Sequence, residues 1–297
     1  MQLLRMENIG MTLLGMISLI ALASGPALPQ TREETEKRIA SMPADQRAFE
    51  RFRVWISGLP VADRGSGGIS DQRTKQIFEK YRVWLKEGGF SDSDISAQID
   101  TVLNQGDRME AERWNRYFTA EKPVFNTNPN AFLVEMVKGR KPGRALDVAM
   151  GQGRNTIWLA QQGWDVTGFD PADQAVGVAR ENAARLGLTI HTEITTMERF
   201  EFGENKWNLI VLSYAGCGQL ARQVERALAP GGIVVVEAFH TDALKTMKIG
   251  GSLCQTGELP HLFQGLRSLH YEEPVAQPDF APRPVRIVRF AAEKPEQ

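Results

Sequence analysis

The sequence predicts an α/β protein: a doubly wound, mostly parallel, seven-stranded sheet with an N-terminal helical extension. Three observations predict it. From Phe125 onward, short apolar runs alternate with helix-patterned segments, the order that lays a parallel sheet between two layers of helices. Residues 144–156 (RALDVAMGQGRNT) read as a buried strand, a glycine turn and a helix, and 164–170 (WDVTGFD) as a second strand ending in an acid. That is the first half of a nucleotide-binding βαβ unit. Residues 31–122, by contrast, are polar, helix-patterned and largely free of strand signals.

The chain divides accordingly into 1–30, 31–122 and 123–297. Residues 9–28 carry no charge, follow Arg5 and contain the small-x-small triplet Ala21-Leu22-Ala23. They read as a secretory signal peptide or as a membrane anchor, and basic residues on both sides leave the orientation open. A later start at Met6 or Met11 is the third reading. A formal net charge of −1 gives no electrostatic reason to expect nucleic acid as a partner. The two cysteines, Cys217 and Cys254, lie far apart with no CxxC or Cys/His cluster. They read as ordinary small residues, and no metal site is expected.

In the helical segment, Thr31-x-x-Glu34 is a capping-box pattern. Pro43 suits the first turn of a second helix with apolar spacing at Phe49, Phe52, Trp55 and Ile56. Gly58 and the glycines at 65–68 break the pattern, and Ser70 is a cap for the next helix, which stops at Gly88-Gly89. Ser91-x-x-Asp94 caps a long helix running towards Glu121 and ended by Pro123. Residues 49–56 (FERFRVWI) and 78–85 (FEKYRVWL) echo one another, a duplicated helical unit whose aromatic stripe reads as a helix–helix core.

Beyond Phe125, Asn128-Pro-Asn130 starts a short helix carrying Phe132, Leu133, Met136 and Val137, stopped at Gly139. Strands follow at 145–149, 165–169, 189–193, 207–213 and 233–238. Helices lie at 154–162, 172–186 and 219–228, the last ending at Pro230-Gly-Gly232. Residues 266–271 and 285–291 are two strands with no helix between them, and so are expected to pair as an antiparallel hairpin at the sheet edge.

The chemistry concentrates at the first turn. Gly151 and Gly153 let the backbone approach a ligand closely, and Asp170 offers a carboxylate to the hydroxyls of a ribose. The turn reads Gly151-Gln-Gly153-Arg-Asn-Thr156, so the third glycine of a dinucleotide fingerprint is missing, which argues against a dehydrogenase. Asp147, inside the first strand, suits a ligand with a cationic amine beside a ribose better than a pyrophosphate. S-adenosylmethionine is such a ligand. As alternatives, Asp147 suits backbone amides of the turn, and Asp170-Pro171 suits the start of a helix.

These motifs, with LAPGG at 228–232, resemble the class I S-adenosylmethionine-dependent methyltransferases. Gly-Arg-Asn after the turn and TGELPHLF at 256–263 are similar to the small-molecule, tellurite-resistance-like branch. The resemblance spans 125–292 and implies a Rossmann-like methyltransferase fold, S-adenosyl-L-methionine as cofactor, and direct methyl transfer to a small-molecule acceptor. It implies that Asp147 orients the methionine amino group, that Ala149, Gly151 and Gly153 line the methionine and ribose, and that Asp170 binds the ribose. Thr196 and Met197 are implied to face the adenine, and Ser213 and Tyr214 to border the transferred methyl group.

Three positions depart from the family pattern. Ala149 replaces a glycine, which negative φ would make tolerable; Thr196 and Asn208 stand where acids are common. Tyr214 and His240 are the catalytic candidates, with Glu237 beside them; a solvated loop histidine is the plainer reading of His240. The competing reading is a non-catalytic, exported or membrane-tethered protein that binds a ligand or partner through a degenerate methyltransferase domain. Because S-adenosylmethionine is made in the cytosol, an active enzyme is expected to keep its catalytic domain there.

Overall fold

A computed structural model describes residues 31–296 apart from 60–70, 247–252 and positions 124, 198 and 219; side chains at 45, 71–75, 103–106 and 109 are likewise not described. The uncharged stretch 9–28, the glycines at 65–68 and the Ser70 cap lie outside the described residues.

Helix α1 (Arg32–Ala40) opens with the expected capping box. The Thr31 hydroxyl accepts from the Glu34 amide at 3.2 Å, and the Glu34 carboxylate accepts from the Thr31 amide at 3.1 Å. Helix α2 (Ala44–Gly58) begins after Pro43. It is followed by α3 (Asp71–Glu87) and by α4 (Asp92–Phe118), which the Ser91 hydroxyl caps at the Asp94 amide. The echoed aromatics of α2 and α3 pack against each other. Phe52 stacks on Phe78 at 5.3 Å and meets Tyr81 edge-on at 5.0 Å. Ile95, Ile99 and Val102 of α4 close this core. The echoed aromatic stripes are thus buried against each other and against α4.

The sheet contains β1 (Arg144–Val148), β2 (Asp165–Asp170), β3 (His191–Ile194), β4 (Trp207–Ser213), β5 (Leu228–Phe239), β6 (Arg267–Glu272), β7 (Val275–Ala276) and β8 (Val285–Glu293). Among the described residues the order is β3-β2-β1-β4-β5-β8-β6, with β7 pairing β8. The first five strands are parallel, and β8 is antiparallel to both its neighbours. Successive residues of β1 serve opposite faces. Leu146 and Val148 join the core beneath α8 (Ala221–Ala227) and α9 (Glu258–Leu262), while Ala145 joins the core with α5 (Ala131–Val137) and α6 (Arg154–Gln161). Helix α7 (Asp173–Arg185) follows β2.

Two expectations are corrected here. Pro230-Gly-Gly232 does not separate α8 from its strand. Leu228 already pairs with Trp207, and the turn is an irregularity inside β5. The tail does form an antiparallel pair at the sheet edge, but the later strand lies inside. Its burial explains this: Val285, Ile287, Val288, Phe290, Ala291 and Ala292 are all buried, whereas β6 is half-exposed along its length. The chain leaves β1 in one direction for β2 and β3 and returns in the other for β4 and β5. The carboxyl ends of β1 and β4 therefore border the crevice where such sheets bind ligands.

Phe52 is fully buried among aromatic neighbours. Phe52→Ala is expected to cost about 3–5 kcal/mol in denaturant unfolding followed by tryptophan fluorescence. A loss under about 1 kcal/mol would show that the α2–α3 core recloses.

Candidate active site

The crevice is built first by the turn after β1. Gly151 and Gly153 both lie at positive φ, +53° and +75°. A Cβ on Gly153 would stand 2.8 Å from that of Ala179 on α7, and one on Gly151 would stand 2.7 Å from the Phe118 ring. Both glycines are thus required by conformation and by space. Ala149 departs from expectation: its φ is +55°, not negative. An L-residue there costs about 1–2 kcal/mol.

Two buried acids flank the turn. The Asp170 carboxylate accepts from the Gly151 amide at 2.9 Å with one oxygen and from the Ala172 amide at 2.8 Å with the other. It therefore serves the turn before α7 as well as facing the crevice. Asp147 accepts from the Thr156 hydroxyl at 2.7 Å. Thr156, at the missing third glycine, fits because β2 carries Gly168 opposite. A Cβ there would come within 2.9 Å of the Thr156 hydroxyl. Burial pushes both carboxyls up to about 6 from an ordinary 3.8. The Thr156 hydroxyl and Arg154 oppose this at Asp147, and the Ala172 and Gly151 amides oppose it at Asp170. Neither acid has a cation in salt-bridge contact among the described residues.

The far wall comes from β4 and β5. Tyr214, at φ +57°, donates its hydroxyl hydrogen to Glu237 at 2.8 Å. Glu237 is buried, paired with Arg289 at 2.7 Å, and accepts from the Asn130 side chain at 2.7 Å. Asn130 also donates to Asp279, which pairs with Arg154 at 2.8 Å; Arg154 in turn donates to the Ser213 hydroxyl at 3.0 Å. Burial, then the negative charges of Glu237 and Asp279, raise the Tyr214 hydroxyl well above its usual range. Tyr214 thus remains a hydroxyl at neutral pH.

Ala149, Asp170, Pro171, Ser213 and Tyr214 line one cavity of about 30 Å³, which Trp114, Phe118 and Phe280 close. Of the residues predicted from sequence, Ala149, Asp170, Ser213 and Tyr214 meet there; Asp147, Gly151 and Gly153 do not line it, Gly151 lying against the Phe118 ring with its amide bonded to Asp170. Thr196 and Met197 do not line it. Met197 is buried instead in the hydrophobic core with Phe169 and Phe200, because the apolar side chain finds its partners beneath the sheet. His240 is neither solvated nor at the cavity. It is buried, accepting from the Asp242 amide at 3.0 Å and contacting the Thr256 hydroxyl at 3.0 Å, so both ring nitrogens are used structurally. Burial, with Arg286 beside it, lowers its pKa.

The cysteines are not unpaired. Cys217 and Cys254 form a buried disulfide with Cα atoms 5.3 Å apart, because the loop after β4 meets the segment before α9. Asn208, in place of an acid, accepts from the Arg144 amide at 2.9 Å and keeps the β1–β4 junction satisfied. Sequence reasoning did not single out Trp114, Phe118, Asp279 or Phe280 for the site. The Trp114/Phe118 spacing on a helix was visible, but nothing local said which surface it meets.

Residues 145–232 match a family model described as a methyltransferase domain. The chain is 32% identical over 102 residues to the ubiquinone biosynthesis O-methyltransferase of Actinobacillus pleuropneumoniae, covering 34% of this chain and 43% of that protein. It is 30% identical over 148 residues to a probable S-adenosyl-L-methionine-dependent methyltransferase, TehB, of Haemophilus influenzae (48% and 52% covered). The solved TehB structure from Haemophilus influenzae superposes with a TM-score of 0.48 at 20% identity, covering 56% of this chain and 62% of that one. The chain spans about half the length of these curated relatives.

Residues 145–232 thus carry a methyltransferase domain similar to that of S-adenosylmethionine-dependent enzymes, a likeness that implies S-adenosylmethionine as cofactor. The residues present fit it. The donor set fits in kind: two buried carboxylates without a salt-bridge cation among the described residues, Asp170 of them lining the cavity, beside a glycine turn that the Phe118 ring covers in this structure.

Ala149→Gly is expected to raise stability by about 0.5–1 kcal/mol in denaturant unfolding, since relief of left-handed strain exceeds the added chain entropy. A loss of that size would show that packing of the Ala149 methyl group outweighs the strain.

Proposed function

We propose that this protein transfers the methyl group of S-adenosylmethionine to a small-molecule acceptor by direct displacement. The observation that carries the reading is the convergence, at the β1–β4 crevice, of the glycine turn, the acid ending β2 and the Tyr214–Glu237 pair. When bound, the cofactor supplies an electrophilic methyl group on a sulfonium that is already a good leaving group. Asp170 accepts the ribose hydroxyls, and Asp147 orients the methionine amine. Tyr214 and Ser213 align the acceptor, and the aromatic wall excludes water. Tyr214 positions by hydrogen bonding, because its proton is held too firmly for it to serve as a base. No covalent nucleophile is needed.

Calorimetric titration of the full chain with S-adenosylmethionine tests this: binding is expected, and no heat together with no thermal shift would sink it. Asp170→Ala is expected to weaken binding by about 1–3 kcal/mol through loss of charge-assisted hydrogen bonds. An unchanged affinity would leave Asp170 as a turn residue alone.

The raised carboxyls set the pH dependence. A folded value near 6 against 3.8 in the unfolded chain means that the fold favours the protonated acids. Their contribution to ligand-free stability is therefore full below about pH 4 and lost as pH rises through 6. The cofactor prefers the ionised acids, so its affinity is expected to rise between pH 5 and pH 7.5. Titrations with wild type and Asp170→Asn across that range check this, the variant showing the flatter profile. A wild-type affinity that falls with pH would refute it.

On location, the proposal is a catalytic domain on the cytosolic side, where the cofactor is made. The disulfide favours the second reading, an exported binding protein, since such bonds persist in oxidising compartments. Protease treatment of intact cells separates them. A protected domain is expected, and an accessible one would count against catalysis.

A further inference from the structure

Helix α7, which follows the ribose acid, lacks a cap of its own. Its cap position is Ala172, and no side chain of the local sequence bonds its first amides. The missing cap comes from α4. The Asn115 carbonyl oxygen accepts from the Gln174 amide at 3.0 Å and approaches the Ala175 amide at 3.4 Å, and its NH₂ group donates to the Asp173 carboxylate at 2.6 Å. Asn115 is itself buried. Only Pro171 and Ala172 separate this cap from Asp170, whose carboxylate bonds the Ala172 amide.

The same end of α4 reaches the cavity twice more. Phe118 lies over Gly151, and its carbonyl accepts from the Gln152 side chain. Trp114 lines the cavity, and its buried indole N–H has no acceptor among the described residues. Farther back on α4, Asp107 pairs with Arg199 at 2.8 Å, beyond β3.

We infer that Asn115 is a positioning residue for the cofactor site: by capping α7 from the helical segment, it fixes the turn that aims Asp170. The inference rests on the reading of this crevice as the S-adenosylmethionine site. An asparagine suits the position because it must accept from helix amides and donate to Asp173 at once. Aspartate in its place keeps the acceptor but sets a second carboxylate against Asp173. Docking of α4 and cofactor binding are thereby linked, and each strengthens the other.

The test is titration of the full chain with S-adenosylmethionine, comparing wild type, Asn115→Asp, and Asn115→Asp combined with Asp173→Asn. The double variant restores the donor–acceptor pair with the roles exchanged. Asn115→Asp is expected to bind on the order of tenfold more weakly, as for loss of a charge-assisted hydrogen bond. The double variant is expected to recover to within about threefold of wild type, as a coupled pair should. Equal affinity of wild type and Asn115→Asp overturns the inference. Weak binding that the double variant fails to restore, with both variants matching the wild-type circular dichroism spectrum, overturns it as well. Absence of binding by the wild type overturns the cofactor reading itself, a result distinct from either.

Discussion

The Asp170 carboxylate, buried between the Gly151 and Ala172 amides, joins the two turns that make this site. One lies after β1 and the other after β2, and neither has a regular ladder to hold it. A buried carboxylate is costly unless it is hydrogen-bonded; the two amides favour its ionised form, yet burial still leaves its pKa raised. The arrangement leaves an acid poised at the crevice with no cation in salt-bridge contact among the described residues. Pairing it with an arginine would stabilise the ligand-free fold but leave no free acceptor facing the crevice.

The opposite wall follows another rule. Glu237 sits in the buried second half of β5 and persists there because Arg289, Asn130 and Tyr214 all engage it. Arg289 lies on β8, the strand that inserts beside β5, so the placement of the tail completes the charge balance of the site. Asp279, in the loop before β8, continues the network to Arg154 on α6. Segments around 114–118, 147–170, 213–237 and 279–280 thus meet over one small cavity. Removing any one leaves a charge or an aromatic face without its partner.

What could be read in the sequence was what neighbouring residues decide. Thr31 with Glu34, Ser91 and Asn130 all cap their helices as the local pattern implies, and β4 runs over the residues expected of it. The glycine turn and the acid after β2 were legible for the same reason. Positions that depend on distant partners were not. The left-handed conformation of Ala149, the Cys217–Cys254 bond, the internal position of β8 and the burial of Met197 and His240 each rest on contacts made only after the sheet has formed. The aromatic closure by Trp114 and Phe118 belongs with them, since a helical stripe says that a face is buried but not against what.

The two strained residues at the cavity show how the sheet enforces the site. Ala149 and Tyr214 are both left-handed, and both lie just past the ends of adjacent parallel strands. The β1–β4 register pairs Val148 with Leu212, and the β4–β5 register pairs Ser213 with Glu237. The chains therefore leave the sheet side by side, and each must turn at once to clear the other's backbone. A one-residue slip would send Asp147 to the other core and Leu146 to its place, a cost far beyond the few kcal/mol of strain. Register is thus what holds the unfavourable backbone in place. It does so at the level of the sheet, where successive residues of β1 and β4 are buried in different cores on opposite faces.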